Sequence, residues 1–185
     1  MMNEGAPLRR ETFKKLHQRH NLWRWTFSTV LAALFMFFVC FVWFDWVKMG
    51  NDSMAPTLRR GDLVLVDRLY KYCNEIQRTD MVAYYRPGTG ELLIKRVVAT
   101  GGEIVGGKNG YVWIDEKYRL NEEEYGALRT ADFDAVEVPE GYVFVLSDDR
   151  QYLEDSREPD IGCVALSDVV GVMHVRLLPS FVLYR

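Results

Sequence analysis

The sequence predicts a mainly β body, a folded sheet or partly closed β-barrel, behind one N-terminal transmembrane helix. Three observations carry that prediction. A charge-free apolar run stands near the N-terminus, short apolar segments bounded by turn residues follow it, and no long segment of helical period occurs after residue 58.

The helix comes first. Residues 26–44 read TFSTVLAALFMFFVCFVWF without a charge. Those nineteen residues at ~1.5 Å each span ~28 Å, close to the ~30 Å hydrocarbon core of a bilayer. Trp23 and Trp25 stand at one end, Trp43 and Trp46 at the other, and indoles favour both membrane interfaces. Arg9, Arg10, Lys14, Lys15, Arg19 and Arg24 precede the run against only Glu4 and Glu11. The positive side stays inside, so the N-terminus is expected in the cytoplasm and the body outside it. A cleaved signal peptide is the rival reading. The run exceeds the usual h-region, however, and no Ala-x-Ala site follows it. The organisation expected is a basic cytoplasmic tail over residues 1–25, an uncleaved anchor over 26–46 and an extracytoplasmic body over 47–185.

The chain of 185 residues carries a net charge of -3, and its first 25 residues carry +4, which leaves about -7 for the rest. An acidic body argues against nucleic acid as a partner. Of the 3 cysteines, Cys40 lies in the apolar run, so Cys73–Cys163 is the one bridge the body could form. No disulfide framework is implied, and both are expected free.

The body reads as strands. Residues 63–67 (LVLVD) follow a Gly-Asp turn, and residues 80–85 (DMVAYY) end at Arg86-Pro87-Gly88. Residues 92–99 end at Gly101-Gly102, and 111–115 with 118–120 suggest a hairpin around Glu116-Lys117. Residues 142–146 and 169–177 supply two more strands. Residues 122–134 are acidic and polar, a loop or short helix.

Ser53 and Lys95 carry the chemistry. Ser53 lies about seven residues beyond Trp46, so an extended chain puts it no more than ~25 Å from the membrane surface. Histidine offers no base for it. His17 and His20 precede the anchor, and His174 sits in the apolar segment VVGVMHVRLL, where a structural role is expected. No His-Glu-x-x-His run exists, and His174 has no ligand-spaced companion, so no metal and no cofactor are expected. Asp148, Asp149, Glu154 and Asp155 could gather a cation, but Arg150 and Arg157 are interleaved with them, which favours ion pairs. A lysine has an ordinary pKa of ~10.4, too high for a base at neutral pH, and burial lowers it. Strand alternation groups Lys95 with Leu93 and Val97, and Met54 could add apolar cover. An exposed lysine on an edge strand is the plainer alternative.

Four segments in order extend this pairing: Ser53-Met54-Ala55-Pro56-Thr57-Leu58, Gly61-Asp62-Leu63-Val64-Leu65-Val66, Lys95-Arg96-Val97-Val98, and Ser147-Asp148-Asp149-Arg150 through Asp155-Ser156-Arg157. Behind an N-terminal anchor, this set resembles the type I signal peptidases, membrane-bound Ser-Lys proteases. The resemblance implies Ser53 as nucleophile, Lys95 as general base and the Ser53 N–H as an oxyanion-hole donor. Asn51 stands where the family has Ser or Gly, and it either donates a side-chain amide to that hole or shapes a turn. Asp148, Asp155 and Arg157 would brace the site, with Arg96 as partner of one of the acids. The chain departs from the family pattern at several positions. Gly-Asp-Asn-Arg is here Ser147-Asp148-Asp149-Arg150, the serine that orients the lysine is Leu153, and the Gly and Pro after the lysine box are Ala99 and Gly101.

The function implied is removal of signal peptides from exported preproteins after small residues through an acyl-enzyme. Preproteins, the lipid bilayer and the export translocon are the implied partners. Leu153 and Asp149 keep open an impaired relative that binds preproteins or peptides without cutting. A self-cleaving repressor with the same dyad is disfavoured by the anchor and by the lack of a DNA-binding region.

Overall fold

A computed structural model describes residues 6–116, 118–119 and 129–184. The chain divides into two compact units, Met1–Val42 and Trp43–Arg185. The first is helical. Helix α1 (Ala6–Trp43) begins well before the expected anchor and contains all but its last three residues. Its stretch Trp23–Trp43 is 21 residues long, has a mean hydropathy of 2.2, and has no share buried within the protein. A helix apolar all round with nothing packed on it is suited to lipid.

The helix stops at Trp43 rather than at residue 46. Phe44–Lys48 is strand β1, paired antiparallel with β2 (Leu63–Asp67), Trp46 opposite Leu65. Asp45 and Lys48 interrupt the apolar run there, and strand pairing satisfies their backbone groups.

The second unit is two open sheets. After β2 come the single turn α2 (Tyr70–Cys73), β3 (Met81–Tyr85) and β4 (Leu92–Thr100). Next are β5 (Ile104–Lys108), β6 (Tyr111–Ile114), β7 (Tyr118–Arg119) and β8 (Phe133–Glu137). The chain ends with β9 (Tyr142–Leu146), β10 (Val164–Ala165), β11 (Val169–Leu178) and β12 (Val182–Leu183). The 8-stranded sheet runs β1-β2-β11-β3-β4-β9-β10, with β12 on β11, and the 4-stranded sheet runs β7-β6-β5-β8. The folded-sheet form of the prediction holds, and neither sheet closes into a barrel among the described residues. The expected hairpin is present as β6 and β7. Most of the acidic stretch 122–134 lies outside the described residues, and its last residues enter β8.

Strand β4 is the keel of the core. Leu93 and Val97 join Val82, Tyr84 and Val145 in one cluster. Val98 and Ala99 join Phe144 and Leu146 in a second, against the smaller sheet's Val105 and Ile114. Ile94 joins Met54, Leu58, Val64 and Met173 in a third. Strand β11 runs between β2 and β3, and its Gly171 is required there: a Cβ would collide with the carbonyl of Asp67.

One face of the larger sheet carries apolar residues outside the core. Trp46, Leu65, Val175 and Leu183 stand opposite one another across β1, β2, β11 and β12, and so share a face. Trp46, Leu178, Phe181 and Leu183 are exposed, whereas Val64 and Val66 are fully buried.

Candidate active site

The Ser53 loop joins β1 to β2 and is held at its base by backbone bonds. Met49 N–H reaches Asp62 O at 2.9 Å, and Gly61 N–H reaches Met49 O at 2.9 Å. Carboxylates pin the rest: Asp62 Oδ2 accepts from Arg59 N–H at 3.0 Å and Asp52 Oδ1 from Arg60 N–H at 2.8 Å. Ser53 is 2% exposed. Its N–H donates to Asn51 Oδ1 at 3.2 Å, the side-chain turn that Asn favours. The N–H that the resemblance gives to the oxyanion hole is therefore engaged by Asn51 in this structure.

Lys95 lies in the interior of the sheet, on β4 between β3 and β9, with Val82 opposite. An edge position is thereby excluded. The side chain is fully buried. Burial pulls its pKa from 10.5 down to about 8, against the opposing pull of Asp155 and Glu154. Its Nζ donates to Ser147 Oγ at 2.9 Å. Among the described residues no hydrogen bond joins Nζ to Ser53 Oγ. Met54 is fully buried in the cluster that holds Ile94.

A single loop after β9 connects these parts. Ser147 Oγ takes the Lys95 hydrogen bond. Asp148 accepts Arg96 Nε and Nη2, both at 2.7 Å, and Thr57 Oγ1 at 2.6 Å. Asp149 N–H donates to Ser53 O at 3.0 Å. Three consecutive residues thus hold the lysine, its neighbour and the serine. Asp155 Oδ2 fixes this loop by accepting Ser147 N–H at 2.9 Å. Arg157 in turn pairs with Asp155 through Nε at 2.8 Å and Nη2 at 2.6 Å.

The acids of this region are engaged with arginines. Arg96 takes Asp148, Arg157 takes Asp155, and Arg86 lies 3.7 Å from Glu154. Among the described residues no group of three or more His, Cys, Asp or Glu is arranged to hold a metal. Arg150 departs from expectation. It is buried, its three side-chain nitrogens have no hydrogen-bond partner, and burial lowers its pKa to about 10.

The remaining candidates lie elsewhere. His174 packs its ring on Tyr70 at 4.7 Å, a structural position. Cys73 and Cys163 are free. Leu153 is 52% exposed. Sequence reasoning missed Ser147 as a lysine partner, and Thr57 as a partner of Asp148. A Ser before Asp-Asp reads as a loop, and only the antiparallel pairing of β9 with β4, Leu146 opposite Arg96, reveals its contact.

Comparison with known proteins gives the family of the chain. The family model described as "Signal peptidase, peptidase S26" matches residues 22–178. The chain is 29% identical over 161 residues to signal peptidase I U of Bacillus subtilis, covering 82% of this chain and 85% of that one. It is 31% identical over 166 residues to a probable signal peptidase I-1 of Synechocystis, covering 83% and 79%. A crystal structure of a signal peptidase I from Enterococcus faecalis, 30% identical, covers 54% of this chain and is covered to 97%, with a TM-score of 0.46.

Proposed function

The chain belongs to the signal peptidase family, peptidase S26, a serine peptidase that removes signal peptides from preproteins, and we propose that Ser53 is its nucleophile and Lys95 its general base. The Lys95 amine is dry and has a lowered pKa, so a share of it is neutral near pH 8. Ser53 attacks the scissile carbonyl while Lys95 takes its proton. Lys95 then protonates the leaving amine, and water releases the acyl-enzyme. The observation that carries this reading is the loop 147–149, which contacts Lys95 through Ser147 and Ser53 through Asp149.

The oxyanion hole forms, in this reading, when the substrate carbonyl replaces Asn51 Oδ1 on the Ser53 N–H. Asn51 Nδ2 is then free to turn in as a second donor. Asp148, Arg96, Asp155 and Arg157 brace the site and do not react.

Among the described residues one helix is long and apolar enough to cross a membrane, which is compatible with anchoring. Its basic leading segment supports a cytoplasmic N-terminus with the body outside. The exposed row of Trp46, Leu178 and Leu183 supports contact of the body with lipid. Cleavage after small residues and work beside the export translocon complete the proposal.

Ser53→Ala and Lys95→Ala, each assayed on a labelled preprotein, test it. Both are expected to abolish cleavage, and wild-type cleavage by either overturns the assignment. Lys95→Arg is expected to be inactive too, because a guanidinium stays charged. No observation favours the binding-only alternative that Leu153 and Asp149 had kept open.

A further inference from the structure

We propose that Ser147 is the positioning residue of Lys95, the group that aims the amine at the nucleophile. The inference rests on the reading of Lys95 as general base and goes beyond it. Lys95 has a flexible four-carbon stem, and burial alone fixes neither its rotamers nor the direction of its lone pair. Ser147 Oγ, at 2.9 Å, accepts from Nζ inside the protein, where no water competes. A neutral amine has two N–H bonds and one lone pair. Committing one N–H to Ser147 restricts where the lone pair can point.

The hydroxyl is itself anchored. The Ser147 N–H is tied to Asp155 Oδ2 at 2.9 Å. Arg157 holds that carboxylate through two nitrogens. Two residues further on, Asp149 N–H holds the Ser53 carbonyl at 3.0 Å. One rigid loop therefore sets both members of the dyad, and Ser147 is its contact with the base. Leu153, which stands where the family pattern has the lysine-orienting serine, is 52% exposed. The hydroxyl comes instead from the position that opens this loop.

A hydrogen bond accepted from the amine also favours its protonated form. Ser147→Ala should therefore do two things together. It lowers kcat about 10- to 100-fold by misaiming the amine, with KM within about twofold, and it moves the rising limb of the pH–kcat profile to lower pH. A purely structural loss leaves the position of that limb alone.

The experiment compares wild type, Ser147→Ala, Ser147→Thr and Lys95→Ala as full chains in detergent on a preprotein, with thermal melting as the folding control. Ser147→Thr keeps the hydroxyl and is expected to keep the wild-type limb. A folded Ser147→Ala with wild-type kcat and limb overturns this inference while an inactive Lys95→Ala leaves the dyad standing. An active Lys95→Ala overturns the dyad itself. If Ser147→Ala does not fold, Ser147→Cys decides, because a thiol is a weak acceptor: reduced kcat with the limb moved to lower pH supports the proposal, and the wild-type kcat and limb overturn it.

Discussion

Asp148 receives Arg96 through two parallel hydrogen bonds of 2.7 Å, and the pair is closed to solvent. Its Oδ2 also accepts Thr57 Oγ1 at 2.6 Å, so the pair ties the β9 loop to the Ser53 loop. Asp148→Ala strands a buried guanidinium and is expected to cost about 3–5 kcal/mol. The double variant Arg96→Met/Asp148→Leu removes both charges and should recover most of that loss. Urea unfolding of the three proteins measures it.

The pH dependence follows from Lys95. Its pKa falls from 10.5 to about 8, first because of burial. The base must be neutral, so kcat should rise with pH through about 8 and level off above it. A pH–kcat profile checks this. A limb at the ordinary lysine value would mean that the amine is solvated.

Stability responds to the same group. The folded state holds fewer protons than the unfolded state between about 8 and 10.5. The sign is therefore a penalty, full below pH 8 and gone above 10.5. The shift corresponds to about 3 kcal/mol. Lys95→Met should be inactive and more stable than wild type at pH 7, by on the order of 1–3 kcal/mol. Melting curves at pH 7 and near pH 10.5 should show the gap narrow.

Arg150 predicts a second stabilising change. Its guanidinium is buried with no hydrogen-bond partner. Arg150→Met keeps much of the volume and removes the unsatisfied donors, and should raise stability by about 1–3 kcal/mol. Denaturant midpoints read the change.

Gly171 predicts the opposite. A methyl group there collides with the backbone of Asp67 on the neighbouring strand. The backbone cannot yield without moving β11 away from β2. Gly171→Ala should destabilise by about 1–3 kcal/mol, read as a lower melting temperature.

The strands at 63–67, 92–99 and 142–146 were legible because each is an apolar run between turn residues, and packing agrees with that local signal. Strand β1 was not, because its residues continue a membrane-length apolar run and only pairing with β2 distinguishes them. Strand β5 was hidden by Gly106 and Gly107, and β8 by a mixed burial pattern. In the site, Ser53 and Lys95 were singled out from the sequence because few residue types can act as nucleophile and base, and their burial is what the structure adds. The contact of Ser147 with Lys95 was not legible, because it joins residues far apart in sequence. Arg150 looked like half of an ion pair, and its acids were taken by Arg96 and Arg157.

The position of β11 has a consequence for the order of biosynthesis. It is the last long strand made, and it sits between β2, the strand that follows Ser53, and β3, the neighbour of the strand that carries Lys95. A ribosome has finished the nucleophile, the amine and the loop that joins them before the wedge between their two halves emerges. Until then the growing polypeptide holds Ser53 and Lys95 without the strand that joins their two parts of the sheet. A nascent chain paused short of residue 169 therefore lacks the strand that joins β2 to β3.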